Sequence, residues 1–149
     1  MIKKVIISII ILSISFVQIL NAEQKFLSLK KNKVNVRYGP SFDSEIKFIY
    51  KKKNLPIRQI DKKENFRRII DYKKNSGWIH ISQLKKNNSV IAVKDKILFK
   101  NSTIFSRPVA NIKKGRLLII QKCEINWCKV ETGGYKGWVD KKNLWGTFN

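Results

Sequence analysis

Apolar residues along this chain recur mostly at every second position, in short runs bounded by Gly, Asn, Pro or Lys-rich turns. Such alternation sets one face of a strand against a core and the other towards solvent. In the first half "KVNVR", "IKFIY", "LPIRQI", "FRRIIDY" and "GWIHI" have this form; in the second, "KILF", "RLLIIQK", "WCKVET" and "GWVD". Outside an N-terminal apolar run, no segment has the spacing of an amphipathic helix. The pattern predicts an all-β protein.

The strands are written twice. "SGWIHISQL" (Ser76 to Leu84) and "KGWVDKKNL" (Lys136 to Leu144) share Gly-Trp-aliphatic, then Leu five residues after the aliphatic. Upstream, "FRRIIDY" matches "WCKVETG", and "NLPIRQI" lies opposite "RLLIIQK". Three blocks kept in order at a period of about 60 residues indicate an internal duplication. The polar stretch Lys85-Lys86-Asn87-Asn88-Ser89 falls between the copies and reads as a linker. Residues 24–86 and 89–149 are therefore expected to form one domain each. Five short strands in about 60 residues suggest a small, strongly bent barrel or sandwich, because a short sheet hides its edges by curling. Gly77 and Gly137, each directly before Trp, mark a turn or a close backbone approach.

The first residues change the compartment. Lys3 and Lys4 precede an apolar run from Val5 to Leu20, and Ala22 meets the polar sequence. That order is a secretory signal peptide over residues 1–22. The run is roughly 16 residues and is interrupted by serines and Gln18, against the ~20 needed to span a bilayer. An uncleaved N-terminal anchor is the alternative. Either way the rest of the chain is expected in an oxidising compartment, periplasmic or secreted, with no membrane span after cleavage.

"VNVRYGPSFDSEI" (Val34 to Ile46) resembles the opening of bacterial SH3-like (SH3b) domains, in which aliphatic-Asn-Val-Arg runs into a Gly-Pro-Ser turn. "SGWIHISQL" resembles that family's Gly-Trp-Val strand and closing Leu. "CEINWCKVETGGYKGWVDKKNLWG" is similar to the C-terminal half of paired SH3-like proteins of alphaproteobacterial envelopes. The second copy departs from the motif: Lys100-Asn101-Ser102 stands where Arg37-Tyr38-Gly39 would fall. The resemblance implies two tandem five-stranded SH3-like barrels with a binding role, towards peptidoglycan or peptides, and leaves the ligand open.

Composition narrows the function. The formal charge of +22 falls to about +20 without Lys3 and Lys4 and would attract anionic partners. It comes almost wholly from Lys, beside much Ile and Asn, so A/T-rich codon usage explains part of it. Arg, the better phosphate fork, occurs six times. Specific nucleic-acid binding is not expected. His80, the only histidine, lies on a strand with Ile79 and Ile81 facing away. Acidic residues are scattered, without the flanking pair that glycan cleavage needs. Two cysteines and one histidine from different copies do not complete a tetrahedral metal site. No catalytic residue, metal or other cofactor is expected.

Binding falls to the aromatics, which offer rigid area with a polar tip. The candidate ligand-binding residues are Arg37, Tyr38, Tyr72, Trp78, Tyr135 and Trp138, with Phe42 and Phe105 among the other aromatics. Trp127 and Phe66 are expected in the cores. The partner is expected to be cell-wall peptidoglycan or, alternatively, an envelope protein. "RLLIIQK" ends before Cys123 and "WCKVET" opens the next strand, so Glu124 to Trp127 make a hairpin turn. Cys123 and Cys128 then face each other across it, within reach of a disulfide.

Overall fold

The computed structural model describes residues 25–146. The expected signal peptide lies outside the described residues. The first copy carries β1 (Phe26–Leu29), β2 (Val34–Arg37), β3 (Ile46–Tyr50), β4 (Pro56–Lys63), β5 (Phe66–Ile70), β6 (Ser76–His80) and β7 (Leu84–Lys86). A 3-10 turn, Ile81–Gln83, joins the last two. The second carries β8 (Ser89–Ala92), β9 (Lys96–Phe99), β10 (Pro108–Ile112), β11 (Leu117–Cys123), β12 (Trp127–Thr132), β13 (Tyr135–Asp140) and β14 (Leu144–Trp145).

Each copy is one antiparallel sheet of seven short strands. The orders are β3-β2-β6-β5-β4-β1-β7 and β10-β9-β13-β12-β11-β8-β14, the same path displaced by seven strands. The duplication read from three sequence blocks thus extends to every strand. Even the irregularity is repeated: the register slips between Gln59 and Asp61 against β5, and between Ile120 and Lys122 against β12. An extra residue at such a bulge bends and twists the strand, which lets a small sheet curl on itself. The fold is a tandem pair of SH3-like barrels, with seven strands per copy where five were expected. The added strands are the short ones at each copy's start and end, with β10 also unread in the second copy.

Alternation explains the cores. In β2, Val34 and Val36 are buried while Asn35 and Arg37 are half-exposed. Leu29, Val34, Val36, Ile57, Ile69 and Ile79 form the first core; Val90, Leu98, Leu118, Cys128, Val130 and Val139 form the second. The glycines before Trp are required by close approach. A Cβ on Gly77 would sit 2.4 Å from Val36 Cγ1, and one on Gly137 would sit 2.6 Å from the Phe99 carbonyl oxygen.

The stretch read as a linker carries structure. Lys85 and Lys86 belong to β7, and Ser89 opens β8, all four residues of which are buried. Val90 and Ala92 point into the second core, while Ile91 joins the first. Leu117 and Trp145, also from the second copy, pack against the same first core. Ser89 Oγ donates to the Asn54 carbonyl, and Asn87 Nδ2 donates to the Ser89 carbonyl. Trp145 completes the seam: Phe26 meets its ring edge-on at 5.2 Å, and the Arg58 and Lys74 cations stand 5.5 and 5.6 Å from its centroid.

Candidate functional site

The loop after β2 is held by one guanidinium. Arg37 Nη1 donates to the carbonyls of Phe42 (2.9 Å) and Ser44 (2.7 Å), and the Tyr38 N–H donates to the Glu45 carbonyl. Joining two carbonyls of the same loop, Arg37 acts as a clamp. The clamp presents Tyr38 and Phe42 outward, at 64% and 61% exposure. Beneath Phe42 lie Phe66 and His80, with ring centroids 5.2 and 4.8 Å away. Phe66 is buried, as expected of a core residue. His80 Nδ1 bonds Ser82 Oγ at 2.8 Å. Lys47 Nζ stands 5.5 Å from the Tyr38 ring, within cation–π range. The result is an aromatic shelf with basic edges on the first barrel.

Trp78 belongs to the same side of that barrel. It pairs with Arg37 on β2 and Arg68 on β5, and residues directly opposite in a ladder share a face. The second copy lacks the clamp. Phe99 faces Trp138 as Arg37 faces Trp78, so Phe99, one residue before the expected Lys100, occupies the arginine's place. There the loop is closed by the Lys100 N–H donating to the Arg107 carbonyl and the Asn101 N–H to Ser106 Oγ. Ile104 and Phe105 project from its tip into solvent. Trp138 itself is 8% exposed, with Lys122 Nζ 5.0 Å from its ring centroid. It offers little surface. Trp127 is half-buried against Phe99.

Tyr72 and Tyr135 stand apart from this shelf, near the junction of the barrels. Tyr72 packs against the first core, and its hydroxyl lies 3.5 Å from where a side chain on Gly115 would begin. Tyr135 is 55% exposed and lines a cleft with Arg116 and Thr132. Behind Tyr72, Asp71 is buried and accepts from the Lys73 and Asn75 N–H groups and from Tyr50 Oη at 3.0 Å. Burial, then the neighbouring Asp71 carboxylate, pushes the Tyr50 phenol far above its ordinary range. This network fixes a turn at the seam.

Cys123 and Cys128 are disulfide-bonded across the β11–β12 hairpin, as register partners with Cα atoms 4.0 Å apart. Both thiols are thereby committed, in a different barrel from His80. Among the described residues no group of three metal-binding side chains converges, and no helix is long and apolar enough to cross a membrane.

Two curled sheets with identical strand order, each with its Gly-Trp strand in the interior, define a paired SH3-like scaffold. The family model described as bacterial SH3 domain matches residues 30–86 and 105–146, more than half of the chain, so the chain belongs to that family. Among solved structures it is similar to NlpC2 from Trichomonas vaginalis, at 11% identity and a TM-score of 0.39, covering 83% of this chain and 48% of that one. NlpC1 from the same organism aligns at 12% identity with a TM-score of 0.37, over 81% and 45% of the two chains. The chain thus spans less than half the length of either. A comparison with curated proteins found no match.

Proposed function

We propose that this chain is an exported, non-catalytic pair of SH3-like barrels that binds a ligand of the cell envelope, peptidoglycan or its stem peptides. The observation that carries this reading is the aromatic shelf of the first barrel, where the Arg37 clamp holds Tyr38 and Phe42 in solvent beside Lys47. Rigid aromatic rings at a basic edge suit the sugar faces, amides and carboxylates of a wall fragment. Family membership supports a wall-associated role, and the disulfide fits an oxidising compartment outside the cytoplasm. Separation of His80 from both cysteines supports a binding role over a thiol-dependent one.

Purified sacculi should retain the protein at physiological salt, with retention reduced at least tenfold by Tyr38→Ala combined with Phe42→Ala. Retention that disappears at modest salt and ignores both substitutions would reduce the effect to unspecific charge.

A second reading has its own observation. β3 is an edge strand, paired in the described sheet with β2 alone, and shows Ile46 and Ile49 to solvent. An unpaired edge of this kind accepts a strand from a protein partner. Crosslinking in cells that captures one protein and no glycan would favour this scaffold role.

A further inference from the structure

A second site lies in the cleft of about 510 Å³ where the two barrels meet, away from the aromatic shelf. Lys52 and Asn54 of the first copy form one wall; Arg116, Leu117 and Ile119 of the second form the other. Arg116 is placed there by its surroundings. Its Nε donates to Thr132 Oγ1 at 2.8 Å, and Thr132, itself buried, donates to the Leu117 carbonyl at 2.9 Å. Gly133 leaves room for the guanidinium. A Cβ at that position would lie 2.4 Å from Arg116 Nη2, and its backbone sits at φ +55°, where L side chains are strained. Among the described residues no carboxylate pairs with Arg116 or Lys52. The one acidic side chain of the cleft, Glu131, is already met by Gln121 Nε2 at 3.0 Å and Lys136 Nζ at 3.4 Å.

The cleft wall also carries a residue with an unmet acceptor. Asn54 Oδ1 is enclosed at the wall without a hydrogen-bond partner from the protein. An orphaned buried acceptor is costly, and a ligand N–H recovers that cost. We infer that this cleft binds the free C-terminal carboxylate of a short peptide. The Arg116 fork takes the carboxylate, a geometry that guanidinium matches and ammonium does not, with Lys52 as the second cation. The Asn54 amide turns into the cleft to accept the peptide N–H at its Oδ1, and the strip of Leu117 and Ile119 accepts a small aliphatic side chain. Arg116 and Thr132 are shared with the neighbouring cleft that Tyr135 lines, so a longer peptide continues towards that ring. The site joins the two copies, since neither wall alone supplies both the cations and the acceptor.

The test is a titration of the ¹⁵N-labelled chain, produced by export from its full-length coding sequence, with N-acetyl-alanyl-alanine and separately with its C-terminal amide. The free acid should give saturable shifts at the Gly133 and Leu117 amides, at least tenfold tighter than the amide. Arg116→Gln should weaken binding at least tenfold. Gly133→Ala, which displaces the guanidinium without changing charge, should weaken it by a similar factor; the dispersion of the spectra reports whether each variant folds. Tyr38→Ala should leave this binding unchanged, which separates the site from the wall affinity proposed above. Equal response to acid and amide would overturn the inference. So would shifts spread over the lysine loops that survive Arg116→Gln.

Discussion

Ile91 is the most informative side chain to remove. It lies on the first strand of the second copy but is fully buried in the core of the first, among Leu29, Ile57 and Ile69. Truncation to Ala removes three buried carbons, and loss of transfer energy plus the remaining cavity costs about 2–5 kcal/mol. Against the ~5–15 kcal/mol by which a domain is stable, that is a large share. Placed on a urea scale with a slope of about 1–3 kcal/mol per molar, the midpoint should fall by roughly 1 M or more. The direction of the side chain matters as much as the magnitude. Val90, the preceding residue, is equally buried but points into the second core. Amide signals of Ile69 and Ile79 should therefore weaken first in Ile91→Ala, and those of Leu98 and Val130 first in Val90→Ala. The wild-type chain should unfold in one transition because its cores share this strand. If Ile91→Ala stayed within about 0.5 kcal/mol of wild type, as surface changes do, or loosened only the second barrel, the shared-strand account would fail.

Three further outcomes follow from the packing. Reducing the Cys123–Cys128 bond should lower the stability of the second barrel by about 2 kcal/mol, the loop-closure value for so short a ring; unreduced protein should take up no alkylating label at either cysteine. Gly77→Ala should cost about 1–3 kcal/mol through overpacking, since its Cβ meets Val36 Cγ1 at 2.4 Å, and a melting shift under one degree would refute the close-approach reading. The Tyr50 phenol is raised in the folded state, so its contribution is complete below the ordinary value of 10.0 and is lost as pH rises above it. Alkaline titration at 295 nm should show a phenol that ionises late and is missing in Tyr50→Phe, and the variant should lose less stability than wild type between about pH 10 and 12.

The strands legible in the sequence were those with one wet face. Val34 and Val36 alternate with half-exposed partners, and the Gly-Trp pairs mark two sites of close strand approach. β8 was illegible for the opposite reason. Its four residues are buried on both faces, so "SVIA" has no polar beat, and it abuts a polar run that has the composition of a linker. Within the run Ser89 bonds across the seam to Asn54, and Asn87 bonds Ser28 and Ser89, while Lys86 and Asn88 stay exposed. The hairpin disulfide was readable because five residues of separation in facing strands leave the cysteines opposite each other. Among the candidate site residues, the turn after Arg37 could be read, but its clamp on the Phe42 and Ser44 carbonyls could not. Arg116 was missed because its role depends on residues from distant strands. The adjacent Thr132-Gly133-Gly134, with both glycines at positive φ, was the available hint.

Repeats of this sort are often pictured as beads that evolution adds or removes one at a time. Ile91, Leu117 and Trp145 make this pair something else. The first copy closes its interior with side chains that the second copy encodes, so a chain cut at residue 86 would expose a gap beside Leu29 and Ile57. Duplication has here been followed by dependence. The folding unit is the couple, and any partner that reads both barrels meets them at a spacing fixed by a buried strand.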